Sequence, residues 1–281
     1  MSDRVVAVLG RGVVPADTPV LTADDLGVLR GDGIFETMHV RHGQAWLFAA
    51  HLARLAGSAA RLGLALPPAP CLEELVADAL AAWGAGTEGA LRLVCTRGSE
   101  TVGRVTVFVT VGPVSAGQRR ARREGVAVVT ASLGVPAGAR SASPWLLGGA
   151  KTLSYAVNMA SLRWAEQQGA EDVLWLSTDG YALEGPTSTL VWLDGGTLWT
   201  VPPEQTGILP GTTARWLLDH AAELGFGAGE KLTQPAELVT AQGVWLLSSV
   251  RGAAEIRTLD GVARKPAADT GAILELLGFP T

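Results

Sequence analysis

The hydrophobic period of this chain switches repeatedly between two and 3.6 residues, and that limits its possible folds more than any other feature. Val5–Leu9 is a short apolar run that predicts a strand. Leu21–Leu29, with its acidic residues, reads as a loop ending in Arg30-Gly31-Asp32-Gly33. Ile34–Arg41 alternates apolar and polar, His42-Gly43 supplies a turn, and Gln44–Phe48 reads as the return strand. Ala49–Leu62 then takes up the helical period through Leu52, Leu55, Ala59 and Leu62. Cys71–Trp83 predicts a second helix, and Gly89–Arg97 and Arg104–Val111 two more strands. Together these make an α/β (α+β) unit of about 110 residues, an ordinary domain size.

The polar, basic stretch Pro113–Glu124 breaks this pattern and reads as a linker or crossover. Beyond it the alternation resumes. Strands are expected at Val126–Leu133, Asp172–Ser177, Thr189–Leu193 and Gly243–Ser248, with a turn at Thr178-Asp179-Gly180. Helices are expected at Thr152–Gln168, Thr212–Leu224 and Ala267–Leu277. The layout predicts two domains, residues 1–118 and 119–281, with a cleft between them. No internal repeat or low-complexity tract interrupts it.

Composition narrows the function. A net charge of −5 argues against a nucleic-acid partner, which selects for a basic face. No apolar run is long enough for a membrane span, and MSDRVVAVLGRG lacks the apolar core of a signal peptide, so a cytoplasmic location is expected. Two cysteines, Cys71 and Cys95, cannot build a disulfide framework or a four-thiolate metal site. His39, His42, His51 and His220 have no metal-ligand spacing; His51 is expected to pack or cap its helix. No Gly-x-Ser-x-Gly elbow is present, and Gly31-Asp32-Gly33 is too short for a dinucleotide fingerprint. Trp175, Trp192 and Trp245 lie in apolar strands and are expected in the core, whereas Trp145 can line a pocket near Lys151.

Of 22 basic residues only three are lysine. Lys231 and Lys265 have polar neighbours, but Lys151 stands in PWLLGGAKTLSYAVN among apolar and small residues. Its plain role is a surface lysine with a buried stem. Its chemical role is an amine desolvated enough to attack a carbonyl, with Gly148, Gly149 and Ala150 permitting close approach to a planar ring. Glu184, in GYALEGPTST, is either a turn residue or a carboxylate for a protonated pyridine nitrogen. In TGILPGTT the residues Gly211, Thr212 and Thr213 open a helix. They are either ordinary caps or a phosphate site made of free N–H groups, dipole and hydroxyls. Arg54, on a helix face between Leu52 and Leu55, is either a surface ion-pair partner or an anion contact.

Taken in order, GDGIFET, HLARL, AKTLSYAVN, DGYALEGPTST and ILPGTT resemble the fold-type IV pyridoxal-phosphate enzymes. These include branched-chain and D-amino-acid aminotransferases and 4-amino-4-deoxychorismate lyases. The resemblance runs from about Val5 to Leu277 and is strongest to actinobacterial aminodeoxychorismate lyases, through AKTLSYAVNMA and STDGYALEGP. It implies a two-domain fold-type IV architecture with a smaller N-terminal α/β domain and a larger cofactor-binding domain. The implied cofactor is pyridoxal 5'-phosphate, with Lys151 as Schiff-base lysine and general acid/base and Glu184 on the pyridine nitrogen. Arg54, Thr212 and Thr213 are implied at the phosphate, Ser249 at phosphate or substrate, and Tyr155 at the phenolic oxygen. Relatives often carry Ser-Asn where this chain has Ser188-Thr189.

The implied reaction is release of pyruvate from 4-amino-4-deoxychorismate to give 4-aminobenzoate, a folate precursor, with the Thr37 hydroxyl near the leaving group. The alternative is transamination of D- or branched-chain amino acids. It uses the same cofactor residues and needs a cation for the substrate carboxylate, for which Arg92, Arg97 and Arg104 are candidates. A binding protein that has lost catalysis is disfavoured by the presence of Lys151 together with Glu184. The resemblance also implies a homodimer, with Gly27–Gly33 and Arg97–Arg104 as the segments lent to the neighbouring subunit's small-molecule pocket.

Overall fold

The computed structural model describes residues 4–279. By its contacts the chain divides into one unit of residues 1–115 and 150–155 and a second of 116–149 and 156–281.

The first unit is a six-stranded antiparallel sheet. Its strands are β1 (Val5–Val8), β2 (Gly12–Val14), β3 (Gly33–Arg41), β4 (Gln44–Ala45), β5 (Gly89–Thr96) and β6 (Thr106–Pro113), in the order β2-β1-β6-β5-β3-β4. A short helix α1 (Leu26–Arg30) replaces the expected loop, with the Asp25 side chain accepting from the Gly27 N–H at its start. Two longer helices, α2 (Phe48–Leu62) and α3 (Ala69–Trp83), cover one sheet face. The strand period decides which residues they meet: Ile34, Met38 and Val40 of β3, Leu91 and Leu93 of β5 and Val107, Val109 and Val111 of β6 are all buried there. Each larger side chain among them contributes about 1.5–3 kcal/mol through burial. The opposite face carries Phe35 and Thr37, in register with Val94 and Arg92, which in turn face Phe108 and Thr110.

Two sequence expectations change here. The return strand ends at Ala45, and Phe48 already belongs to α2. The expected helix at Thr152 begins only at Ala156, because Lys151–Leu153 runs extended along the edge of β3. Phe35 donates its N–H to the Lys151 carbonyl at 3.1 Å, and Leu153 donates to Gly33 at 2.8 Å. Lys151 therefore belongs with the first unit, not with the C-terminal domain to which the sequence reading assigned it.

The second unit is built on a mixed eight-stranded sheet. Its strands are β7 (Val126–Ser132), β8 (Asp172–Leu176), β9 (Thr189–Asp194), β10 (Thr197–Thr200), β11 (Gly227–Glu230), β12 (Gly243–Ser248), β13 (Gly252–Leu259) and β14 (Val262–Ala263). The order is β11-β10-β9-β12-β13-β7-β8, with β14 on β13; the β10–β11, β13–β7 and β7–β8 pairs are parallel. Trp192 and Trp245 are fully buried and Trp175 nearly so, whereas Trp145 is almost wholly exposed. The expected linker is a helix, α4 (Ala116–Glu124). It shows no apolar period because its buried contact is polar: Arg122 donates to the carbonyls of Val250 and Arg251 and stacks on Phe279. Among the remaining helices are α5 (Ala139–Ala142), α6 (Ala156–Gln167), α7 (Pro203–Thr206), α8 (Thr212–Asp219), α9 (Pro235–Thr240) and α10 (Thr270–Leu276). The predicted helix over Thr212–Leu224 stops at Asp219 and is followed by a 3-10 turn at Ala221–Leu224. No helix among the described residues is long and apolar enough to cross a membrane.

Candidate active site

In the first unit the Lys151 amine lies on the sheet face opposite the helices. Its Nζ stands 4.5 Å from the centre of the Phe35 ring and donates to the Tyr155 hydroxyl at 3.1 Å. Tyr155 meets Phe35 edge-on, with ring centres 5.1 Å apart. The Lys151 backbone is fixed as well, because its N–H donates to Ser58 Oγ at 3.0 Å. The amine is thus aimed by a strand edge, a helix hydroxyl and two aromatic rings.

Arg54 lies one helical turn before Ser58 on α2 and is not a surface ion-pair partner. It grips Glu36 of β3 with two donors, Nε to Oε1 at 2.8 Å and Nη2 to Oε2 at 2.6 Å. The pair is buried: Glu36 is wholly so and the Arg54 side chain only 9% exposed. His51, a turn earlier and equally buried, places Nδ1 2.6 Å from Glu36 Oε2. Burial alone would push the Glu36 carboxyl up. The charge and hydrogen bonds of Arg54, then His51, overcome this and hold it at about 2. Burial pushes His51 down, Glu36 opposes that, and the charges of Arg54 and Lys151 push it down further. A neutral imidazole beside an ionised carboxylate must carry its proton on Nδ1 and donate it to Glu36. His51 therefore packs rather than caps its helix.

The three candidate arginines part company. Arg92 lies opposite Thr37 in the β3–β5 register, and its guanidinium carbon is 5.7 Å from the Phe35 ring centre, so it shares the face of the Lys151 amine. Arg97 is committed elsewhere: it donates to Asp32 at 2.7 Å and to the carbonyls of Leu62 and Gly63, tying the end of α2 to the loop before β3. Arg104 is exposed in the turn before β6. Thr37 is half-buried.

The second unit carries the other candidates. Glu184, whose side chain is 8% exposed, accepts from Arg140 Nη1 at 3.0 Å on Oε1 and from the Leu209 N–H at 3.1 Å on Oε2. At the start of α8, Thr212 Oγ1 and Thr213 Oγ1 each lie 3.4 Å from Ser249 Oγ. The preceding Gly211 provides no side-chain cap, and a Cβ on it would fall 2.1 Å from Thr189 Oγ1. Three hydroxyls and an uncapped helix start suit a phosphate, and a buried carboxylate paired with an arginine suits a pyridinium, so these residues fit pyridoxal phosphate.

Residues 33–259 match the class IV amino-transferase family. The chain belongs to that family. This aminotransferase-family chain is 44% identical over 280 residues to the bifunctional aminodeoxychorismate lyase / D-amino acid transaminase of Mycobacterium tuberculosis, covering 96% of this chain and 97% of the relative. Structures of a hypothetical aminotransferase from the same organism superpose with a TM-score of 0.94 at 43% identity, covering 98% of this chain and 97% of that one. One is a form with pyridoxal phosphate bound and another a form with α-ketoglutarate and pyridoxamine phosphate. A fold IV transaminase from Curtobacterium pusillum superposes with a TM-score of 0.93 at 37% identity, over 99% and 98% of the two chains. Fold-type IV architecture and family membership, both expected from the ordered motifs, hold.

Glu36, Ser58, Phe35 and Arg140 join the candidate residues only in the structure. Glu36 and Phe35 stand inside GDGIFET, and the i, i+3, i+7 spacing of His51, Arg54 and Ser58 on α2 carried a signal for one polar face. Arg140 had none, because the contact spans 44 residues.

Proposed function

We propose that this chain is a pyridoxal-phosphate-dependent 4-amino-4-deoxychorismate lyase that forms 4-aminobenzoate and pyruvate. Bound pyridoxal phosphate supplies an electron sink for the bond broken at the amine-bearing carbon. Lys151 would hold the cofactor through its amine, and the same amine would move the proton at the amine-bearing carbon of the substrate. Glu184 keeps the ring nitrogen protonated. Arg54, Thr212, Thr213 and Ser249 hold the phosphate, and Tyr155 contacts the phenolic oxygen. One observation carries the lyase reading: Thr37 shares a sheet face with the Lys151 amine and lies in register with Arg92. The hydroxyl serves the departing enolpyruvyl oxygen and the guanidinium a substrate carboxylate.

A second reading, D-amino-acid transamination, is supported by the relative named for both activities and by the relative structure with α-ketoglutarate. It uses the same residues, with Arg92 on the amino-acid carboxylate. A paired assay separates the two. One arm follows 4-aminobenzoate from aminodeoxychorismate, and the other follows 2-oxoglutarate-dependent consumption of D-alanine, D-glutamate and L-leucine. Aminobenzoate release is expected; robust transamination without it overturns the lyase reading.

The reading includes a homodimer. Val28 and Leu29 of α1 and Val102 of the β5–β6 turn are exposed apolar residues within or beside the segments expected to reach a neighbour, as a subunit contact requires. Light scattering at working concentration tests it, and a monomer counts against it.

A further inference from the structure

We propose that Arg140 is a positioning residue that keeps Glu184 ionised and fixes its orientation, so that the ring nitrogen of the cofactor stays protonated. The inference rests on the reading that Glu184 meets that nitrogen. A nearly buried carboxylate without a counter-charge tends to take up a proton, and a neutral carboxyl cannot hold a pyridinium. Arg140 supplies the counter-charge at 3.0 Å on Oε1, and the Leu209 N–H fixes Oε2 at 3.1 Å. Two donors on different oxygens define the plane of the group.

The surroundings of Arg140 are built to hold it. It sits on α5, a four-residue helix too short to be stable alone. A Cβ on Gly148 would lie 2.5 Å from the Arg140 carbonyl oxygen, and one on Gly207 would lie 2.7 Å from Arg140 Cβ. Gly149 donates to the Gly207 carbonyl at 2.9 Å, and Ser141 Oγ lies 2.7 Å from the Gln205 carbonyl. Gly148, which the sequence suggested makes room for a planar ring, thus makes room for the Arg140 backbone. Leu209 continues the chain from Gly207 toward Thr212, so the segment that braces α5 also carries the second donor to Glu184.

The test loads wild type, Arg140→Gln and Arg140→Lys with pyridoxal phosphate carrying nitrogen-15 in the ring and follows its chemical shift from pH 6 to pH 9. Borohydride reduction and peptide mapping confirm attachment at Lys151. The expected result is a protonated nitrogen throughout in wild type, loss of protonation within this range for Arg140→Gln, and its return in Arg140→Lys. With it comes a fall in kcat for Arg140→Gln that exceeds any rise in KM. Arg140→Met, which keeps the apolar stem, serves if the glutamine variant does not fold. A glutamine or methionine variant that carries the adduct and keeps its nitrogen protonated overturns the inference alone. A wild-type protein without the adduct on Lys151 overturns the cofactor reading and the inference together.

Discussion

The two units each hold a buried carboxylate in the grip of an arginine, and the pairs are assembled in opposite senses. In Glu36–Arg54 the carboxylate is wholly buried and held by two arginine donors and His51, and the arginine is the group proposed to reach a ligand. In Glu184–Arg140 the arginine is 21% exposed and donates once, and the carboxylate is the proposed contact. A buried ion pair adds little to stability over an apolar substitute, yet removing one partner strands the other at a large cost. The difference teaches that the holder should matter for folding in the first unit and mainly for proton placement in the second.

The largest expected effect tests whether both pairs serve one chemistry. Lys151→Ala should abolish turnover and the visible absorbance of the loaded protein. Lys231→Ala and Lys265→Ala should do neither, since Lys231 only pairs with Asp194 at 3.7 Å beside Trp199 and Lys265 is exposed. Steady-state rates and an absorbance spectrum decide it; an active, yellow Lys151→Ala protein ends the proposal for the whole site.

The next effect separates the pairs. Glu36→Gln leaves the Arg54 charge uncompensated in a buried setting and should destabilise the cofactor-free protein by roughly 3–5 kcal/mol. Arg140→Gln should cost less, because partial exposure lets water take over its contact. Urea unfolding of both variants measures this, and equal losses erase the distinction. The same pair sets an acid limb. The Glu36 carboxyl is held at about 2, below its ordinary 4.5, so its contribution is complete above pH 4.5 and declines as pH falls toward 2. That contribution is roughly 3 kcal/mol by linkage. The stability gap between wild type and Glu36→Gln should therefore narrow steadily below pH 4.5; a constant gap down to pH 2.5 breaks the assignment.

The sequence exposed the parts of this molecule whose signals are local or periodic. β3 and α2 announced themselves by periods of two and 3.6, and Lys151 by its apolar, glycine-flanked setting among mostly polar lysines. What stayed hidden depends on distant partners. α4 looks like a linker because it buries an arginine against carbonyls more than a hundred residues away. Thr152 looks helical because nothing nearby says that the free edge of β3 will claim it. Arg54 looks like a surface residue until Glu36, on a different element, is known to face it.

The smallest expected effect sharpens the contrast inside the first unit, between an arginine available for a ligand and one tied into the fold. Arg92 is exposed on the face of the Lys151 amine and opposite Thr37, whereas Arg97 donates to Asp32 and to two carbonyls at the end of α2. A hydrogen bond from a charged group to a substrate carboxylate contributes about 1.5–3 kcal/mol, or roughly a 10- to 100-fold change in binding. Arg92→Ala should therefore raise KM by about that factor with the melting temperature nearly unchanged, because among the described residues its guanidinium makes only a loose contact with the Phe35 ring of β3. Arg97→Ala should lower the melting temperature, because it releases α2 from the loop that leads into β3, and it should move KM less than Arg92→Ala does. Parallel thermal melts and substrate titrations on the two variants read both quantities. The reverse pattern, a stability loss at Arg92 and a KM effect at Arg97, would mean that the sheet register misidentifies which arginine faces the substrate.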